Sequence, residues 1–262
     1  MKFWKLALAA SAATFGLATA ALADDAPAPA AAAPAAAPSG PTIAWNAGIT
    51  SDYMFRGLDQ SAGNVAGFGG ADLTWGKVYL GTWVSHVDFE GDSFNGNHTL
   101  AEVDVYGGVR PTFGPVSLDL GVIGYIYPKQ PSGSNENYVE LKGLATVTAG
   151  SFTPGVSVYY SPDNSFATGH ETYLEGNLAY TFKNKASVSG AVGHEFLDSV
   201  KDGGLSGYTL WNIGATYPVT DHLSVDLRYY GTSHAAKAFF TEEKSLPFNA
   251  ADRVVATLKA TW

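Results

Sequence analysis

A hydrophobic alternation of period two recurs in twelve segments of this chain, and the connections between them are alternately short and long. The segments lie near 43–56, 65–75, 78–89, 99–110, 116–127, 138–149, 153–161, 171–182, 186–197, 208–218, 223–233 and 251–262. Successive side chains of a strand point to opposite faces, so this pattern gives each segment one apolar and one polar face. Most segments run 10–12 residues. A strand in a globular domain averages about 5–6 residues, whereas one tilted across a bilayer needs about 9–11. The short connections are 76–77, 111–115, 150–152, 183–185 and 219–222. The long ones are 57–64, 90–98, 128–137, 162–170, 198–207 and 234–250, rich in Gly, Asn, Ser and Asp. Sorting of connections by length is the habit of outer-membrane barrels. The expectation is an all-β, antiparallel transmembrane β-barrel of 12 strands over 42–262, with short periplasmic turns and longer extracellular loops.

The ends agree with export. Lys2 and Lys5 precede a small, apolar run from Ala7 to Ala21, and Ala21-Leu22-Ala23 fits a cleavage site, so residues 1–23 read as a signal peptide. Residues 24–41 are Ala- and Pro-rich and read as an extended tether. The chain has no cysteine, which excludes disulfides, thiolate metal sites and a lipid-modified cysteine together. Its net charge of −9, more negative still once Lys2 and Lys5 are removed, argues against nucleic acid as a partner. Beyond the signal peptide there is no run of 18 apolar residues, so membrane crossing falls to strands. The chain ends on Trp262 with Val254, Ala256, Leu258 and Ala260 alternating back from it, which resembles the assembly signal read by the barrel-assembly machinery. The expected location is the outer membrane of a Gram-negative bacterium, with the lipid bilayer as partner.

Four stretches, "SDYMFRG" (51–57), "VYLGTWVSHVDF" (78–89), "AEVDVYGG" (101–108) and "FTPGVSVYYSPD" (152–163), resemble the TorF family of porin-like proteobacterial proteins. The resemblance runs from about residue 43 to the end and implies an outer-membrane barrel that forms a pore, without implying a substrate. Asp52, Arg56, Glu102 and Asp104 match its motif positions, while Met54 stands where the family more often has a polar residue.

Folding the alternation onto the strands gives an expected lumen. Its acids are Asp52, Asp72, Glu102, Asp104, Asp119, Glu140, Glu171, Glu175, Glu195 and Asp226. Its bases are Arg56, Arg110, Lys142, Arg228, Arg253 and Lys259. Acids outnumber bases, which points to a narrow, acidic-lined channel that passes small hydrophilic solutes by diffusion and weakly prefers cations. Glu102, Asp104 and Asp119, mid-strand on segments read as neighbours, are expected to form its strongest acidic patch. Asp52 and Arg56, read as one strand, lie about 13 Å apart and are not expected to pair. The segment 78–89 is ambiguous; its aromatic parity, with Tyr79, Trp83, Val87 and Phe89, is assigned to the lipid side. Trp45, Trp75, Phe182, Tyr217 and Trp262 at one end, and Tyr53, Phe55 and Phe89 at the other, are expected in interfacial rings. Loop 234–250 either folds inward as a constriction or packs on neighbouring loops.

Other readings are a closed structural or surface-interaction barrel and an outer-membrane hydrolase. For catalysis the candidates are Ser85-His86 and Ser233-His234; there is no Gly-x-Ser-x-Gly element. "DFEGDSFNGN" (88–97) offers oxygen ligands without the calcium-loop glycine, so neither metal nor cofactor is expected.

Overall fold

The computed structural model describes residues 40–89, 98–198, 206–242 and 248–262. The expected signal peptide, all but the end of the tether, and most of 88–97 therefore lie outside the described residues. Twelve long strands form: β1 (Thr42–Thr50), β2 (Ala66–Trp75), β3 (Val78–His86), β4 (Ala101–Val109), β5 (Val116–Ile126), β6 (Tyr138–Val147), β7 (Phe152–Ser161), β8 (Glu171–Thr181), β9 (Ser187–Leu197), β10 (Gly207–Pro218), β11 (Leu223–Thr232) and β12 (Arg253–Thr261). Each pairs antiparallel with its neighbours in sequence. β12 returns to β1 in the register Asn46↔Thr261 to Thr50↔Thr257, which closes the sheet. The seam is sealed at its end by a reciprocal pair of 3.0 Å backbone hydrogen bonds between Trp45 and Trp262.

Burial is inside out compared with a water-soluble domain. Large aliphatic residues such as Val156, Leu174, Leu178, Leu227 and Val254 are exposed, while Arg56, Arg228, Glu140 and Glu195 are at most 2% exposed. Closure explains this: outward positions have no layer to pack against, so only hydrocarbon suits them. Small inward residues make room for large neighbours. A Cβ at Gly81 would run into the ring of Tyr106 across the strand pair, and one at Gly193 into Tyr173.

Three expectations change. First, β1 ends at Thr50 rather than at residue 56, and 51–64 leaves the wall and turns inward. Second, Tyr79 and Trp83 of β3 face inward at 2% exposure each, while Val78, Leu80 and Val84 face out. The charges of His86 and Asp88 had suggested the opposite parity, but they sit at and beyond the strand's end, where the rule no longer holds. Third, Tyr53 and Phe89 are buried rather than set in an outer ring, and Phe55 is packed against the same core. The opposite ring positions Trp45, Trp75, Phe182, Tyr217 and Trp262 are exposed.

Access to the interior differs along the barrel axis. At the long-loop end the inward residues Glu102, Glu140, Ser161, Glu171, Glu195, Leu210 and Thr232 are buried. Toward the short-turn end Gly108, Arg110, Ser117, Thr146, Asn177, Thr216, Asp226 and Lys259 are partly exposed.

The outward face yields a direct test. Val156 lies mid-strand on β7 and is exposed. Val156→Arg is expected to cost about 2–4 kcal/mol in lipid, read as a loss of the fast-migrating folded band on unheated gels; the same band in Ala145→Ser, on the neighbouring strand, should persist.

Candidate functional site

The inward turn of 51–64 is built from its sequence. Thr50 Oγ1 donates to the carbonyl of Asp52 at 2.8 Å, and the chain leaves the β1 ladder there. Met54-Phe55 then pairs with Leu58-Asp59 as a miniature hairpin. The two residues between them, Arg56 (φ 46°) and Gly57 (φ 74°), both have the positive φ of a type I′ turn. Glycine suits the second place for another reason: a Cβ there would meet Thr232 and Leu210 of the wall. Arginine at the first place is strained, by about 1–2 kcal/mol, and is held by what its side chain meets. The hairpin is also anchored at its base. Arg253 Nη1 lies 3.2 Å from Asp52 Oδ2 and its Nη2 2.9 Å from Asp59 Oδ2. Ser61 Oγ donates to Asp52 Oδ1 at 2.9 Å and accepts from the Tyr53 amide at 2.9 Å.

The apex of the hairpin carries the guanidinium of Arg56 into a cage of carboxylates from three strands. Its Nη1 and Nη2 each lie 2.9 Å from the two oxygens of Glu140 on β6. Nη1 also lies 2.6 Å from Glu171 on β8 and 3.5 Å from Glu195 on β9. Three rings surround it, with centroids 4.8 Å (Phe55), 5.0 Å (Tyr159) and 4.6 Å (Tyr173) from Cζ. Tyr125 donates to Glu140 Oε2 at 3.0 Å, and Tyr208 donates to the Arg56 carbonyl at 3.1 Å. Above the hairpin, Phe89, Phe166, Phe240 and Phe248 form a continuous aromatic cover. In loop 234–250, Thr232 donates to the Ala250 carbonyl and Asn249 bridges to Asp59, so the described part of that loop seats on the hairpin.

The remaining candidates sort by height. Near the long-loop end, Glu102 accepts from Tyr53 (2.7 Å) and Tyr127 (2.6 Å), and Asp104 is buried two residues along β4. Nearer the short turns, Asp119 gathers Tyr79 (2.6 Å), Arg110 (3.0 Å) and Lys142 (3.3 Å). Asp119 therefore does not join Glu102 and Asp104 in one patch; they sit toward opposite ends, and two bases meet Asp119. Asp226 pairs with Arg228 at 3.1 Å, and Arg228 also donates to Asn212 and Ser189. Glu175 accepts from Tyr173 and Asn177, Asp72 accepts from Tyr106, and Lys259 stands partly exposed. The outcome is a polarised interior. Asp52, Asp59, Glu102, Asp104, Glu140, Glu171 and Glu195 crowd the long-loop third with Arg56 and Arg253. Below them, Asp72, Asp119, Glu175 and Asp226 are matched by Arg110, Lys142, Arg228 and Lys259.

Asp52 and Arg56 are indeed not partners, though not for the reason of strand spacing; each finds its own counter-charge. Sequence reasoning missed Asp59 and the inward role of Tyr53. The available signal was the break in alternation at Met54, two residues before an Arg-Gly pair. Neither serine–histidine candidate forms a couple: Ser85 Oγ donates to the His86 carbonyl, and Ser233 Oγ accepts from the Thr209 amide. Among the described residues no group of His, Cys, Asp and Glu is arranged to hold a metal.

A family model described as "Bacterial protein of unknown function (Gcw_chp)" matches residues 34–262. The chain belongs to that family. No curated protein matches it in sequence. Among solved structures, the NanC porin aligns with a TM-score of 0.52 at 8% identity, over 84% of this chain and 99% of that one. The KdgM porin aligns with 0.51 at 9% identity, over 84% and 97%. At such identity these likenesses show the fold: a closed antiparallel barrel like those of small outer-membrane porins. Outer membrane phospholipase A from Escherichia coli also aligns, at 0.45 and 11% identity over 84% and 88%, too distant to bear on function.

Two outcomes follow from the charges. Arg56→Ala leaves three buried carboxylates without their cation and is expected to cost about 3–5 kcal/mol, whereas Arg110→Ala, at a partly exposed pair, should cost under about 1 kcal/mol; unfolding in detergent compares them. At the hairpin base, burial, with Asp59 beside it, pushes the Asp52 carboxyl from 3.8 up to about 7. The folded protein thus keeps a proton that the unfolded chain has lost, so this contribution is full below pH 3.8 and disappears as pH rises through about 7. The unfolding midpoint should fall more between pH 5 and pH 8 in the wild type than in Asp52→Asn.

Proposed function

We propose that the protein is an outer-membrane channel, exported by the signal peptide at 1–23, that gives small hydrophilic solutes diffusive passage through a narrow, acidic-lined, weakly cation-preferring lumen. The observation that carries this is the lining: a closed barrel, aliphatic outside, whose interior is charged and hydroxyl-bearing along its whole height. A barrel that only had to be stable would gain by filling its core with apolar side chains, since buried ion pairs rarely outdo them. The TorF resemblance and the porin-like fold support the same reading. With both described ends of the sheet at the short-turn side, that side would face the periplasm, and the long loops the exterior. The closure at the long-loop end is made by the hairpin and by the aromatic cover from the long loops, none of them part of the barrel wall, so they can withdraw without dismantling it.

A second reading, a permanently closed barrel, is favoured by the burial of the inward carboxyl groups at the long-loop end. Planar-bilayer recording of the refolded protein separates the two. The expected result is a small conductance with a reversal potential displaced toward the cation side in a KCl gradient. In Glu102→Gln/Asp104→Asn the reversal potential should move toward zero with conductance little changed. The preference should fade at 1 M salt, where screening shortens to about 3 Å. An anion-preferring wild type would refute the charge argument; silence both in the wild type and after residues 53–63 are replaced by a Gly-Ser linker would establish the closed barrel.

A further inference from the structure

We propose that the cage around Arg56 is a binding site for guanidinium-bearing cations, and that Arg56 is its resident occupant. The wall alone supplies the site: Glu140, Glu171 and Glu195 from β6, β8 and β9, with the faces of Tyr159 on β7 and Tyr173 on β8. The occupant comes from elsewhere in the chain, on the apex of a hairpin; that apex residue is backbone-strained and is tied to the wall by its own side chain and by Tyr208. The contact set is that of a ligand in a receptor: a bidentate fork on Glu140, a close bond to Glu171, and two tyrosine rings with centroids 5.0 and 4.6 Å from Cζ.

Two further observations point to a ligand rather than to a finished structural ion pair. Three carboxylates converge on one cation, and the third is poorly served. Glu195 reaches Arg56 only at 3.5 Å, and its Oε2, on a residue 2% exposed, finds no N–H or hydroxyl donor among the described residues. A cavity of about 70 Å³ opens beside it, lined by Arg56, Glu171, Glu195, Tyr127, Tyr138 and Tyr208. That exceeds the ~10–15 Å³ needed to admit a water. A second cation can therefore approach Glu195 from the cavity, take up its unused acceptor and exchange with Arg56. The chemistry selects the class. A planar fork answers the two oxygens of Glu140 at once beside the tyrosine rings, which a compact ammonium does not do. In the channel reading, on which this part rests, such a cation is cargo or opener: its binding releases the hairpin's apex from the wall at the long-loop end. Binding itself needs no conductance, so the two proposals fail separately.

The test is chemical rescue of the full mature chain refolded in detergent. Arg56→Ala empties the cage. Guanidinium chloride ordinarily lowers unfolding midpoints. In Arg56→Ala, millimolar guanidinium should instead give a saturable rise of about 5–10 °C at a hundredfold excess over its dissociation constant. Sodium or tetramethylammonium chloride at equal ionic strength should not do so. Adding Glu140→Gln should abolish the rescue, and the wild type should show no rise. Equal effects of all three salts, or a fall in Arg56→Ala as in the wild type, overturns the proposal. Should Arg56→Ala not refold, Arg56→Lys replaces it: the poorer occupant should be displaced by guanidinium with a rise of the same kind, and its absence counts equally against the site.

Discussion

A strand in hydrocarbon has no water to which it can send its N–H and C=O groups. Every one of them must be paired within the sheet, and the only sheet without unpaired edges is a closed one. The β12–β1 seam, finished by Trp45 and Trp262, is therefore the condition for the rest of the structure. Closure makes one face of every strand face the surroundings and the other face a tube. It also removes the usual place for an apolar core, since the aliphatic residues go outside. Beside one aromatic cluster, what is left inside is largely polar, and those groups must be satisfied residue by residue.

The interior meets that demand with tyrosines and counter-charges. Phenolic hydroxyls from Tyr53, Tyr79, Tyr106, Tyr125, Tyr127 and Tyr173 all donate to carboxylates, which lets acids be buried beyond the supply of bases. A hydroxyl donor stabilises a carboxylate without cancelling its field. The long-loop third therefore holds more carboxyl groups than bases, while in the lower interior Arg110, Lys142 and Arg228 sit beside acids. Charge pattern along the axis and access along the axis change together.

The wall was legible because its period of two is enforced by the bilayer at every strand. Nearly every strand formed within a few residues of where the alternation put it, and the inward acids and bases of the strands proper face inward. What escaped was whatever alternation does not govern. At β3, two charges at the strand end outweighed the aliphatic residues of the span, and parity came out reversed. At residue 51 the alternation seemed to run on through Tyr53 and Phe55, so the hairpin was read as strand. Its turn depends on positive φ at Arg56, and nothing in the residue type announces that; only Gly57 does. Nor does periodicity reveal that Asp119 and Glu102 sit at different heights, because height depends on register between strands, which is fixed by turns rather than by faces.

The hairpin has a consequence for assembly. Arg56 meets partners 84, 115 and 139 residues further along the chain, on three different strands of the wall. Strand β1 itself finds β12 only when the sheet closes. The hairpin therefore has no seat until β6, β8 and β9 have curved into place, and docking it reports that the circuit is complete. An unclosed or misregistered sheet would leave a strained arginine loop in water and a row of acids facing a gap. The seat of Arg56 thus exists in a finished barrel and not in an unfinished one.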